Sequence, residues 1–408
     1  MNIKFKSQNE EAIVRYMNEN QNLLYRTLSE LVKINTVNDR KTGNENAGQE
    51  YFERLCVESG FKTDRFTSES VSGLCEHKDF LSGRGSDVRE NLVATLEGQD
   101  KTRSVMLASH MDTERLGDET KWTASSPLSG EIKDGKIFGR GTGDDKSGLA
   151  VSWFIMKAFK ELGIVPKKNL LLASYSDEEG GGGNGALAVS LKYPCDACIN
   201  LDSSGLEIEA NGGGCFKLIL KTLANDGTVA SVFNEFDGAR AVVDELAILN
   251  KRENTTVRLS SVTAGSGGVR ESVVNIGIYT DMTREECQKT LDGICEKLKD
   301  KFSALGLTTE GFKPVTRFFI YGKTDKDSRE VKTLREIIEE DTKAHCSTDG
   351  KCLSDLSLFM AYCSNNSFNY GVPTGSDIGG GPHQPNEHVV CHELLSHAKR
   401  LAIMLLRV

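Results

Sequence analysis

The sequence predicts an α/β fold in which a mostly parallel sheet is flanked by helices and interrupted by an inserted, ferredoxin-like α+β domain. Three observations predict it. Apolar strand runs alternate with helical patterns through the first half of the chain, the arrangement that buries a parallel sheet between two layers of helix. The texture changes after about residue 212 and the α/β pattern resumes near residue 323. A chain of 408 residues is also too long for one hydrophobic core. The expected organisation is residues 1–211 and 323–408 as two parts of one catalytic α/β domain, with 212–322 inserted between them.

Taken in order, residues 8–34 carry Ile13, Tyr16, Leu23, Leu24, Leu28, Leu31 and Val32 at helical spacing. A second helix over 46–59 is stopped by Gly60. Strands follow at 91–96 and 104–109, then a helix over 147–162 closed by Gly163. A strand at 169–175, a helix at 184–191 and a strand at 197–201 complete the first part. In the insert, 216–223, 273–280 and 316–321 read as strands, and 238–250 and 284–305 as helices. Two helices with three or four strands make a compact ferredoxin-like unit. Helix 328–345 resumes the α/β pattern and helix 393–406 ends it.

Composition narrows the class. A net charge of -9 argues against nucleic acid, whose phosphates want a basic face. No apolar stretch reaches the length of a membrane span. The first residues, MNIKFKSQNEEAIVRYMNEN, lack the apolar core of a signal peptide, so the expected compartment is the cytoplasm. Eleven cysteines at irregular spacing read as free thiols in a reducing compartment, the Cys195–Cys198 pair included. The 40 glycines cluster at 139–148, 180–185, 212–214, 265–268 and 379–381, which points to functional loops.

Five residues with ligand chemistry sit where apolar runs give way to glycine or polar residues: His110, Asp144, Glu179, Asp202 and His383. Each alone reads as an ordinary surface group. Together they supply imidazole and carboxylate without thiolate, a donor set that suits a two-zinc hydrolase better than a structural site closed by cysteines. Three of them follow expected strands, and sites in open α/β sheets gather at the carboxyl ends of strands. Asp112, two residues after His110, is placed to fix that imidazole's tautomer. Asp144 and Asp145 offer adjacent carboxylates for bridging two cations. Glu178-Glu179 divides into a general base and a ligand, because a carboxylate beside an activated water can take its proton and return it to a leaving nitrogen. His392 and His397 imitate a zincin helix, but i,i+5 positions lie about 140° apart around a helix and cannot share an ion.

The motifs LVKINTVND, SHMDT, KWTASSPLSGEIKDGKIFGRGTGDDKSG, SYSDEEGGGGNGA, NLDSSG and GPHQPNEHV occur in this order along nearly the whole chain. Their sequence resembles the cocatalytic zinc peptidase family of aminoacylase, carnosinase, bacterial dipeptidases, tripeptidase T, acetylornithine deacetylase and glutamate carboxypeptidases. The resemblance implies one zinc on His110, Asp144 and Asp202 and another on Asp144, Glu179 and His383, with Asp144 bridging. It implies Glu178 as general base, Asp112 as the partner of His110, and a cis peptide bond between Asp144 and Asp145. It also implies that the insert is a lid domain through which a homodimer forms.

The sequence departs from the family on that lid. Many dimeric members carry a lid histidine that polarises the substrate carbonyl, yet the seven histidines here are at 77, 110, 345, 383, 388, 392 and 397. Either Asn225, Asn234 or Arg240 substitutes, or the oxyanion rests on zinc alone. Arg270, in the loop AGSGGVRE, is the candidate for binding a substrate carboxylate. The expected function is hydrolysis of an amide bond in a dipeptide or short peptide, with an N-acyl amino acid as the alternative substrate. The rival from another class is a non-catalytic metal-binding protein on the same fold. Two zinc ions are expected, and cobalt or manganese would accept the same nitrogen and oxygen donors.

Overall fold

The computed structural model describes residues 2–39, 43–207, 209–210, 212–222, 229–264, 271–346, 352–375 and 379–408. The chain divides into two compact units, one of residues 1–209, 323–350 and 354–408, the other of 210–322 with 351–353.

The first unit is built on a seven-stranded sheet in the order Lys62–Thr67, Glu90–Leu96, Lys168–Tyr175, Asp100–His110, Ala197–Asn200, Ser367–Tyr370, Leu206–Glu207. The four strands from Lys168–Tyr175 to Ser367–Tyr370 run parallel to one another. The outer pairings are antiparallel. Alternation along a strand sends successive side chains to opposite faces. Val105, Leu107, Leu170 and Leu172 accordingly join one core, with Ile13, Leu28, Leu149, Phe154, Leu401 and Met404. Met106, Ala108, Leu171 and Ala173 join the other, with Leu187, Val189 and Phe359. Both faces are covered, which is why these strands read as continuous apolar runs.

The helical stretch expected over 8–34 is two helices, Gln8–Glu19 and Gln21–Lys33. They part at Asn20, whose side-chain amide donates to the Tyr16 carbonyl at 2.9 Å. Helix Lys146–Glu161 lies in the first core and buries almost its whole length. The strand Ser367–Tyr370 was not anticipated: Ser367 and Asn369 are polar, yet both are buried in the sheet.

In the second unit a four-stranded antiparallel sheet has the order Thr256–Ala264, Glu271–Tyr279, Gly213–Thr222, Leu307–Pro314. Helix Val229–Leu249 follows its first strand in the chain and helix Arg284–Lys297 its third, so the order is the ferredoxin-like β-α-β-β-α-β. Leu218, Leu220, Val242, Leu246, Ile276 and Leu291 form its core. The last strand is not the expected 316–321 but Leu307–Pro314. Its register shifts opposite Leu218 and Leu220, so its buried Leu307 and Phe312 fall out of simple alternation and the pattern is masked. Residues 316–321 contribute a single bridge, Phe319 to Gly213.

Among the described residues no helix is long and apolar enough to cross a membrane. The last helix, Cys391–Arg407, carries His392 exposed and His397 fully buried. His397 stacks on Tyr370 with ring centroids 4.2 Å apart. Burial, and then the charge of Arg400, holds its pKa down to about 3. The unfolded chain therefore takes up a proton near pH 6.5 that the folded chain refuses, so this contribution to stability is present above that pH and lost as pH falls toward 3. His397→Phe should flatten the acid limb of a stability–pH curve by up to about 1.4 kcal/mol per pH unit. Urea unfolding between pH 4 and 7 checks this, and an unchanged slope rejects it.

Candidate metal centre

All five ligand candidates belong to the first unit, at the carboxyl ends of the parallel strands or beside them. His110 ends strand Asp100–His110, Glu178-Glu179 follow Lys168–Tyr175, and Asp202 follows Ala197–Asn200. His383 lies in the segment after Ser367–Tyr370, with a left-handed φ of 62°. The strand ends are level, with His110 opposite Tyr175 and Ala108 opposite Asn200. Asp144 comes from the loop before helix Lys146–Glu161, and its peptide bond to Asp145 is cis. The first turn of that helix presses against the end of the His110 strand. A Cβ on Gly148 would stand 2.2 Å from Ser109 Oγ and 2.7 Å from Leu201 Cβ, so only glycine permits the approach.

Asp144 is the hub. Its Oδ1 lies 2.9 Å from His110 Nε2 and its Oδ2 2.9 Å from His383 Nε2. His383 Nε2 is also 2.9 Å from Glu179 Oε2. Ligand atoms of His110, Asp144 and Asp202 lie within 4.8 Å of one another, as do those of Glu114, Glu179 and His383. The sequence-predicted ligands thus come together in two adjoining groups, with Asp144 of the first 2.9 Å from His383 of the second. Arg270 lies outside the described residues, as does Asn225. In the second unit, Asn234 donates to the Leu305 carbonyl and the exposed Arg240 pairs with Asp244.

His110 Nδ1 faces the backbone carbonyl of Asp112 at 2.8 Å, while the Asp112 carboxylate is 3.7 Å away. That carboxylate has a different task. It accepts from the backbone N–H groups of Glu178 and Glu179, at 3.1 and 2.9 Å, and from Asn38 Nδ2 at 2.6 Å. The pair of glutamates is thereby tied to the strand end that carries His110.

Three features escaped the sequence reading. Glu387 is buried and accepts through Oε1 from the N–H groups of Gly141, Gly143 and Asp144, at 3.0, 3.0 and 3.3 Å, while Oε2 receives Arg140 at 2.6 Å. It fixes the loop that presents Asp144, and its only sequence signal is its place in the GPHQPNEHV motif. Asp177, just before the glutamates and in the left-handed region, is gripped by Arg84 through Nε and Nη2 and by Arg89 at 3.3 Å. Arg89 also pairs with Glu45 and donates to Asn38 at 3.1 Å. Glu114, the third, follows Thr113 directly and its N–H donates to Glu179 Oε1 at 2.8 Å.

The electrostatics fit a cation-binding centre. Burial, and then the charge of Asp202, drives the Glu178 carboxyl well above its ordinary range. Burial and the neighbouring Asp144 push Glu179 up to about 8. Hydrogen bonds from Asp144 and Glu179 push His383 up to about 11. Burial disfavours the His110 cation, but the hydrogen bond and charge of Asp144 outweigh it and its pKa rises. Carboxylates this close demand positive charge among them, and imidazole nitrogens with carboxylate oxygens are the donors of zinc, manganese and cobalt sites.

Residues 106–407 match the model of peptidase family M20/M25/M40. An uncharacterized metallohydrolase of Methanocaldococcus jannaschii is 34% identical over 157 residues, which cover 38% of this chain and 36% of that protein. The chain thus spans about a third of the length of that relative. A succinyl-diaminopimelate desuccinylase of Dechloromonas aromatica is 27% identical over 283 residues, covering 62% of this chain and 73% of its own. A di-peptidase from Saccharomyces cerevisiae shares the fold, with a TM-score of 0.73 at 13% identity over 97% of this chain and 98% of its own.

Arg89 is almost fully buried and neutralises the equally buried Glu45 and Asp177. Arg89→Met keeps the bulk but strands those charges, a change that typically costs about 3–5 kcal/mol. The urea midpoint should fall accordingly, and a midpoint like that of the parent chain would show that the charges are compensated elsewhere.

Proposed function

The chain belongs to peptidase family M20/M25/M40 and is an enzyme of the metallopeptidase and amidohydrolase type, and we propose that it hydrolyses the amide bond of a dipeptide or short peptide at a two-metal centre. The observation that carries this reading is Asp144, whose two carboxylate oxygens each stand 2.9 Å from a different imidazole. In this reading His110, Asp144 and Asp202 hold one ion and Asp144, Glu179 and His383 the other, with zinc first and cobalt or manganese as alternatives. Divalent cations held there supply an acidified water and polarise the scissile carbonyl.

The chain's own residues do the rest. Glu178 takes the proton of the attacking water and returns it to the departing amine, a role suited to a carboxyl whose burial and neighbours keep its proton affinity high. Asp112, by accepting the N–H groups of Glu178 and Glu179, holds base and ligand in register. Arg270 is the proposed partner of a substrate carboxylate. The free cysteines accord with a cytoplasmic setting, where thiols stay reduced. Phe233, Phe236 and Ile248 on helix Val229–Leu249 and Leu259 on an edge strand are exposed, which supports homodimerisation through the second unit.

A second reading, deacylation of an N-acyl amino acid, is supported by the similarity to the succinyl-diaminopimelate desuccinylase. A panel of dipeptides and N-acetyl amino acids on the zinc-loaded protein separates the two. Bound metal with no turnover of any compound in the panel would favour the non-catalytic reading. Glu178→Gln should retain bound metal while turnover falls by about 10²–10⁴ or more, and wild-type rates from that variant would refute the base assignment. For the dimer, light scattering should give twice the chain mass, and Phe236→Asp with Leu259→Asp should give the monomer.

A further inference from the structure

We propose that Glu114 is an additional metal ligand at the Glu179/His383 position, making that position richer in oxygen donors than its neighbour. The inference rests on the two-metal reading. A carboxylate oxygen of Glu114, one of Glu179 and a ring nitrogen of His383 lie within 4.8 Å of one another. Donor atoms around a tetrahedral ion with bonds of about 2.0–2.2 Å are separated by about 3.3–3.6 Å, so a small inward adjustment of these side chains closes the group on one cation.

The local hydrogen bonds prepare Glu114 for this. Its N–H donates to Glu179 Oε1 at 2.8 Å, leaving Glu179 Oε2 as the oxygen that faces His383. The N–H of Arg115 donates to Glu114 Oε1 at 2.8 Å, which fixes the rotation of the carboxylate and leaves Oε2 available. The segment is anchored from behind, since Thr113 N–H donates to the Thr36 carbonyl at 3.0 Å and the Thr113 carbonyl accepts from Asn38 N–H at 2.9 Å. Outer hydrogen bonds that orient a ligating carboxylate are what a built metal site requires. The bland alternative is a half-buried carboxylate serving only to hold Arg115, and such a group would be indifferent to metal.

The two positions then differ in character. One has an imidazole and the carboxylates of Asp144 and Asp202; the other has an imidazole and the carboxylates of Asp144, Glu179 and Glu114. Added oxygen ligation suits manganese, which accepts higher coordination numbers than the four typical of zinc.

Manganese(II) titrated calorimetrically into the metal-stripped chain, with electron paramagnetic resonance to count bound ions, tests the assignment. The wild-type chain should take up two ions. Glu114→Gln, nearly isosteric and free to keep the backbone hydrogen bond, should weaken one of the two Kd values by tenfold or more and leave the other within twofold. Glu114→Asp should fall between, and Asp144→Asn should weaken both. Circular dichroism confirms that each variant is folded. Two unchanged affinities in Glu114→Gln overturn the role of Glu114 while leaving the two-metal reading intact. Fewer than two ions on the wild-type chain overturns that reading, and this assignment with it.

Discussion

Carboxylates gathered at the level ends of parallel strands repel one another, and burial strengthens the repulsion by removing water. The first unit answers with three kinds of positive partner, graded by depth. Asp112 and Glu387, both buried, are satisfied chiefly by backbone N–H groups, with Asn38 and Arg140 added. Asp177 and Glu45 are satisfied by guanidinium groups. Asp144 meets two imidazoles, and Glu179 one imidazole and the Glu114 N–H, a balance that suits a cation between them.

That division explains why two of the buried carboxylates outside the ligand set matter as much as the ligands. Glu387 gathers the N–H groups of Gly141, Gly143 and Asp144 in the glycine-rich turn, so Asp144 is delivered by a turn wrapped around an anion. Asp112 does the same for the glutamate pair. Neither interaction spends a side chain that could compete for metal. The arginine grip on Asp177 adds a second hold on the same glutamate loop, from the opposite side of the chain's order.

The ligand candidates were legible in the sequence because each stands at the junction of an apolar run with a glycine or polar stretch, where a strand or helix meets a loop. Glu114 was not, since a lone glutamate after SHMDT carries no periodic or motif signal. Arg84 and Arg89 were hidden by separation: Arg84 meets Asp177 across 93 residues, and nothing local advertises the pairing. Strand Ser367–Tyr370 was missed because its centre is a polar ladder. Asn200 donates to Asn369 Oδ1 at 3.0 Å and accepts from Tyr175 OH at 3.1 Å, so the middle of the sheet is hydrogen-bonded through side chains where an apolar run was the expected signature. In the second unit the ferredoxin-like class was readable from two helices among strands, whereas the bulged last strand was not.

The placement of the donors along the chain sets an order of assembly. His110, Asp144 and Asp202 lie between residues 110 and 202, whereas His383 follows Asp202 by 181 positions. On the proposed division of donors, a growing chain would hold one set in full while the other still lacked its imidazole. Closure of the second group would then follow the segment that pairs Ser367–Tyr370 with Ala197–Asn200 in the sheet.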